Sequence, residues 1–173
     1  MKKYNIKIRN ANIKDTEILI EIGARTFFEA YINRKNKAGI ESYIKKYLSS
    51  KNISEELKSP SNIFLIALSD NMPIGYAKLR KNGIPGGLGK KSIEIERMYL
   101  IKEKIGKGIG KIVMKKCLDI ARKKGYKIVW LGVWEQHINA IGFYKRFEFK
   151  KFGEQKFKFG NKLHKDILLK KEI

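Results

Sequence analysis

Between Ile105 and Lys111 the chain reads Ile-Gly-Lys-Gly-Ile-Gly-Lys, with Gly106, Gly108 and Gly110 at alternate positions. Before this turn, residues 92–100 read Ser-Ile-Glu-Ile-Glu-Arg-Met-Tyr-Leu, a pattern that predicts a strand. After it, Val113, Cys117 and Ile120 recur at helical spacing, so a helix is predicted over 108–124, closed by Gly125. A strand that passes through glycines into a helix exposes the helix's first N–H groups, which have no intrahelical partner. Those donors and the positive end of the helix dipole attract phosphate, and glycine lets a ligand approach the main chain closely. The turn therefore demands an α/β chain with an anion site at one strand-to-helix junction.

Spacing separates the kinds of phosphate site. A nucleotide-hydrolase P-loop needs a glycine where Ile105 stands and a magnesium-binding hydroxyl where Ile112 stands. A dinucleotide fingerprint needs a third glycine at Lys111 and an early position in the chain. Neither fits. What remains is a pyrophosphate held by backbone amides and by Lys104, Lys107 and Lys111, with no built-in metal ligand.

The rest of the chain arranges itself around this junction. A strand is predicted over 4–9, a helix from Asp15 or Thr16 to near Tyr31, and a second helix over 38–48. Residues 62–69 and 74–80 read as antiparallel strands around the turn Asp70-Asn71-Met72-Pro73. The glycine-rich segment 82–89 is expected to be a surface loop. A buried strand over 127–133 and a short helix over 139–146 follow. Short strands over 149–152, 156–159 and 164–171, joined through Gly153 to Gln155 and through Gly160-Asn161, complete the sheet. One domain over 1–173 is expected at this length.

Composition narrows the function classes. The net charge of +22 favours a polyanion, yet the lysines are spread along the chain without an arginine cluster or an aromatic-interleaved basic run. Nucleic acid is thus the less supported partner and stays open as an alternative. No segment has the length and apolarity of a membrane span, and the N-terminus lacks a signal-peptide core, so a soluble cytoplasmic protein without a membrane partner is expected. Cys117, the single cysteine, forms no intrachain disulfide and is assigned to core packing; no metal is expected.

Residues 96–120 resemble the acetyl-CoA-binding motif of the GCN5-related N-acetyltransferases (GNAT), in which Arg or Gln is followed by two residues, Gly, one residue, and Gly or Ala. Gly108 and Gly110 match, and Ile105 takes the Arg or Gln position. The stretch from Trp130 to Tyr144 resembles the family's second cofactor motif, with Ala140 and Tyr144 matching and His137 in the place of an Asn. Glu148 replaces a glycine usual after that helix. The segments Leu131 to Glu135 and Phe27 to Tyr31, and the C-terminal end, are similar to PaiA-type bacterial spermidine/spermine acetyltransferases.

This resemblance implies a GNAT fold: a mixed sheet of about six to seven strands flanked by about four helices. It also implies acetyl transfer from acetyl-CoA, as co-substrate, to a small-molecule amine by direct attack, with no covalent enzyme intermediate. Met98, Tyr99, Leu100, the turn Ile105, Gly106, Lys107, Gly108, Ile109, Gly110 and Lys111, then His137 and Ala140, are the implied cofactor contacts. A β-bulge is implied at Met98 and Leu100. Tyr144 is the implied donor to the departing thiolate, since a phenol keeps its proton at neutral pH. Glu96 is the implied base, its pKa raised by partial burial, with Glu94 and Glu135 as competitors. Phe27, Phe28, Glu29 and Tyr31 are the implied acceptor contacts. Trp130 and Trp134 are assigned to sheet packing and His164 to the last strand without a catalytic duty.

A polyamine is the expected acceptor, although the positive field repels polycations and a local acidic pocket must overcome it. A protein N-terminus, a lysine or another small amine is the alternative acceptor. Nucleic-acid binding or acyl-CoA sensing without turnover is the alternative of another class. A homodimer is left open.

Overall fold

The computed structural model describes residues 5–32, 37–81, 85, 88–89, 91–159 and 162–173. Tyr4, most of the loop predicted over 82–89 and the turn Gly160-Asn161 lie outside these. The secondary structure runs β1 (Ile6–Asn10), α1 (Thr16–Tyr31), α2 (Lys37–Tyr47), α3 (Ser50–Lys58), β2 (Asn62–Ser69), β3 (Met72–Arg80), β4 (Ser92–Leu100), α4 (Ile109–Lys123), β5 (Ile128–Trp134), α5 (Ile138–Arg146), β6 (Lys150–Phe159) and β7 (Lys162–Glu172). The seven strands form one mixed sheet ordered β1-β2-β3-β4-β5-β7-β6. Every neighbouring pair is antiparallel except β4 and β5.

Local chemistry sets the element ends. Asp15 closes a capping box with Asn12 around the 3-10 turn Ile13–Asp15 that leads into α1: its carboxylate accepts the Asn12 N–H at 2.9 Å and two Arg9 hydrogen bonds at 2.6 and 2.8 Å. Asp70 and Asn71 both take positive φ (52° and 66°), the geometry of a two-residue hairpin turn whose twist matches the strands it joins. The sequence reading left out α3, which carries only two apolar residues, Ile53 and Leu57; Ser49 caps it by accepting the Asn52 N–H. Three short C-terminal strands were also expected where two long ones, β6 and β7, run. Gly153 to Gln155 does not interrupt β6; the chain passes a register shift between Lys151 and Gly153 and stays paired.

The core lies on both faces of the sheet. On one face α4 buries Ile109, Val113, Met114, Cys117, Leu118 and Ala121. Cys117 is inaccessible and burial pushes its thiol up to about 12, so it is a packing residue and no nucleophile. On the other face Leu19, Ile22 and Phe27 of α1 and Ile53 of α3 pack against β2 to β4. Among the described residues, no helix is long and apolar enough to cross a membrane.

Glu148 keeps a left-handed backbone, φ 63°, without being glycine. Its carboxylate pairs with Lys171 at 2.7 Å, so the turn retains the shape a glycine supplies while the side chain ties α5 to β7.

Candidate active site

The site begins where the sheet divides. β4 and β5 pair only through Ser92–Ile128, Ile93–Val129 and Glu94–Trp130. β4 then continues to Leu100 and β5 to Trp134 without further pairing between them. The two strands part, and a cleft of about 2100 Å³ opens along their free edges. Met98, Tyr99 and Leu100 line it from β4, and His137, Ala140 and Tyr144 from the β5–α5 side. An unpaired strand edge offers alternating N–H and C=O groups to an extended amide-bearing ligand.

The glycine turn stands at one end of this cleft. Gly106 and Gly108 take φ of 80° and 79°, left-handed values that a side chain disfavours, and a Cβ at either would meet nothing within 4 Å. Glycine is therefore needed here for conformation. At the edges of the turn the Ile105 N–H donates to Lys102 and the Lys111 N–H to Gly108. Among the described residues, no backbone acceptor meets the N–H groups of Gly106, Gly108, Ile109 and Gly110. Such donors at the N-terminus of α4 are able to hold an anion. Ile105 is 63% exposed, whereas the Ile109 side chain is core and only its main chain belongs to the turn.

A second device fixes the turn. Glu29 of α1 accepts the Lys102 N–H at 2.7 Å and Arg25 at 2.9 Å, and Arg25 also reaches Glu103 at 2.7 Å. The carboxylate expected to meet an acceptor ammonium thus holds the segment that leads into the glycines. Phe28 points elsewhere: it is exposed and does not line the cleft. Phe27 does, stacked on Tyr43 at 4.0 Å between ring centroids and tilted on Tyr31 at 4.6 Å. Tyr43 contacts Tyr47 at 4.7 Å, so four aromatic rings from α1 and α2 form one wall. Tyr43 and Tyr47 entered the sequence reading only as a helix face.

Below this wall lies a buried ionic cluster. The β3–β4 register passes from Lys78–Arg97 to Leu79–Ile95, leaving Glu96 as the extra residue of a bulge. The bulge is thus at Glu96, before the regular pairing of Met98 and Leu100 where the resemblance implied it. It brings Glu94, Glu96 and Arg97 toward the same cations and carboxylates. Lys78 meets Glu56 at 2.7 Å and Glu96 at 2.5 Å; Arg97 meets Glu56 at 2.9 Å; Arg80 meets Glu94 at 2.6 Å and Glu96 at 2.7 Å. Three carboxylates face three cations, which is what allows such burial.

The cluster splits the two β4 carboxylates. Burial pushes the Glu96 carboxyl up, but Arg97, Lys78 and Arg80 outweigh it and hold it below the usual range. This reverses the raised pKa expected for Glu96. Burial dominates at Glu94 and, against the pull of Arg80, pushes it up to about 7. Glu135 pairs with Lys165 at 2.9 Å and does not line the cleft. Tyr144 is half-buried against Phe149 and Phe143, and desolvation raises its phenol far above the ordinary value, with smaller contributions from Tyr31 and Cys117. It keeps its proton throughout the working pH range. Trp130 packs under the sheet as expected, while Trp134 and His164 line the cleft.

A parted sheet, an anion-ready helix end and a proton-bearing phenol along one cleft belong to a single class of protein. The chain is an acetyl-CoA-dependent N-acetyltransferase. Residues 24–149 match the acetyltransferase (GNAT) family, and the chain belongs to that family. It is 32% identical over 150 residues to a spermidine N(1)-acetyltransferase of Thermoplasma acidophilum, covering 84% of this chain and 89% of that protein. It is 28% identical over 169 residues to an uncharacterized N-acetyltransferase of Lactobacillus delbrueckii subsp. lactis, covering 97% and 98% of the two chains. Its fold superposes with TM-score 0.81 on the crystal structure of PaiA N-acetyltransferase from Thermoplasma acidophilum in complex with coenzyme A, at 26% identity over 98% of this chain and 99% of that one.

Proposed function

We propose that the acceptor is a primary amine of a polyamine such as spermidine or spermine. The observation that carries this reading is a carboxylate set in a chain of net charge +22: Glu29, Glu94, Glu96 and Asp166 line the cleft beside Lys102, Lys111 and Arg146, and Asp166 has no lysine or arginine partner among the described residues. Ordinary salt screens the surface lysines beyond about 8 Å, so a carboxylate left without a cation inside the cleft can attract an ammonium locally. The likeness to a spermidine N(1)-acetyltransferase supports the same acceptor class.

In this reading the main-chain donors of residues 106–110 hold the diphosphate of acetyl-CoA, with Lys111 beside them. Met98, Tyr99 and Leu100 offer the free edge of β4 to the pantetheine arm, and His137 and Ala140 close it from α5. This places the thioester near the Glu96 bulge and the neutral amine against it, so that attack needs no enzyme nucleophile. Tyr144 donates its phenolic hydrogen to the departing sulfur. The amine's proton leaves through the β4 carboxylates. Glu96 is ionised throughout the physiological range, and Glu94, linked to it through Arg80, takes and releases a proton near neutrality.

Incubation with acetyl-CoA and a panel of spermidine, spermine, propylamine, an N-terminal peptide and a lysine peptide, following free thiol, tests the acceptor. Saturable release with the polyamines is expected. Release with the peptides alone would move the acceptor to proteins, and coenzyme binding without release by any amine would favour a sensor.

A further inference from the structure

We propose that Asp166, with Gln155 and the aromatic walls of Trp134, His164 and Phe157, forms a second cation subsite that holds the distal ammonium of the acceptor. The proposal rests on the polyamine reading above and assigns that reading a specificity-determining residue. Of the four cleft carboxylates, three already have cations or donors. Glu29 holds Arg25 and the Lys102 N–H, while Glu94 and Glu96 hold Arg80 and Lys78. Asp166 differs. Among the described residues, no lysine or arginine pairs with it, and its donor is the Gln155 amide at 3.4 Å. The adjacent Lys165 turns instead to Glu135 at 2.9 Å and Glu154 at 3.5 Å.

The strand register gathers the subsite. Asp166 of β7 stands between Trp134 of β5 and Gln155 of β6, forming one row across three strands. The neighbouring row pairs Phe157 with His164, whose ring lies 5.4 Å from both Phe157 and Trp134. An anionic oxygen beside aromatic rings is the chemistry that recognises an alkylammonium. Gly132 makes room for the pair. A Cβ there would stand 3.3 Å from Asp166 Oδ2 and 3.3 Å from Gln155 Nε2, so the missing side chain is what lets these two polar groups lie close over the strand. Burial raises the Asp166 carboxyl above its ordinary value, against the smaller opposing pulls of the Gln155 hydrogen bond and of His164.

Titration calorimetry of wild-type protein, Asp166→Asn and Gly132→Ala with spermidine and with propylamine reads the subsite directly. Wild type is expected to bind spermidine roughly 10-fold or more tighter than propylamine, the scale of one charge-assisted hydrogen bond. Asp166→Asn should erase that preference, and Gly132→Ala, which only adds a methyl group over the carboxylate, should reduce it. Spermidine affinity within about two-fold of wild type in both variants overturns the subsite. Thiol release followed in the same samples separates the two readings. Release that ignores Asp166 sinks the subsite and leaves acetyl transfer standing. Spermidine binding that depends on Asp166, without release by any amine, supports the subsite and sinks the acceptor assignment.

Discussion

The two ends of the cleft recognise by different means. At the proposed cofactor end the atoms on offer are main-chain amides, and the side chains matter chiefly by being absent, as at Gly106 and Gly108. At the proposed acceptor end the wall consists of side chains brought from α1, α2, β4, β5, β6 and β7. Backbone recognition ties a site to a short run of sequence, whereas side-chain recognition disperses it through the fold. Substitutions at the first end should therefore abolish binding, while those at the second should redistribute specificity.

The largest effect that would sharpen this contrast is expected for Gly108→Asp. It places a negative charge at the anion site and a side chain on a left-handed backbone, which costs about 1–2 kcal/mol in conformation alone. Acetyl-CoA affinity should fall by about 100-fold or more, the scale of two lost charge-assisted hydrogen bonds, as read by calorimetry. Retained affinity would remove the diphosphate from this turn. Tyr144→Phe comes next: turnover should fall about 100-fold with acetyl-CoA affinity unchanged, the range for loss of one general acid. Unaltered turnover would transfer that role elsewhere.

A third test concerns the ionic cluster. Glu94 must be ionised to accept a proton, so in wild type kcat/KM should rise as pH climbs through about 7. In Glu94→Gln that limb should vanish and the plateau fall roughly 100-fold, at the weaker end of what a general base contributes. A limb that persists near neutrality in the variant assigns it to another group. The smallest effect is expected at Phe28. Being exposed and outside the cleft, it should tolerate Phe28→Ala with kinetics unchanged and stability within about 0.5 kcal/mol by chemical denaturation. A changed acceptor KM would bring it back into the site.

The same contrast explains what was legible in the sequence. The β4–turn–α4 junction could be read closely, because strand alternation, glycines and helical spacing are all local. β2 and β4 match their predicted limits, 62–69 and 92–100. Tyr43, Tyr47, Gln155 and Asp166 were not legible as cleft residues, since only the fold sets them beside β4. The β4 bulge misled in a specific way. Strict alternation would put Glu94 and Arg97 on opposite faces, and the extra residue Glu96 brings both into one ionic cluster, so the environment of each carboxylate escapes a reading by period. α3 escaped because two apolar residues in nine make too thin a stripe, although its Glu56 anchors both Lys78 and Arg97.

The three-pair seam between β4 and β5 has a mechanical consequence. Four strands lie on one side of it and three on the other, and little ladder spans the join. A ligand laid between the parted edges supplies rungs that the polypeptide lacks, so occupancy should stiffen the whole sheet. Amide hydrogens along residues 95–100 are then expected to exchange more slowly once coenzyme fills the gap.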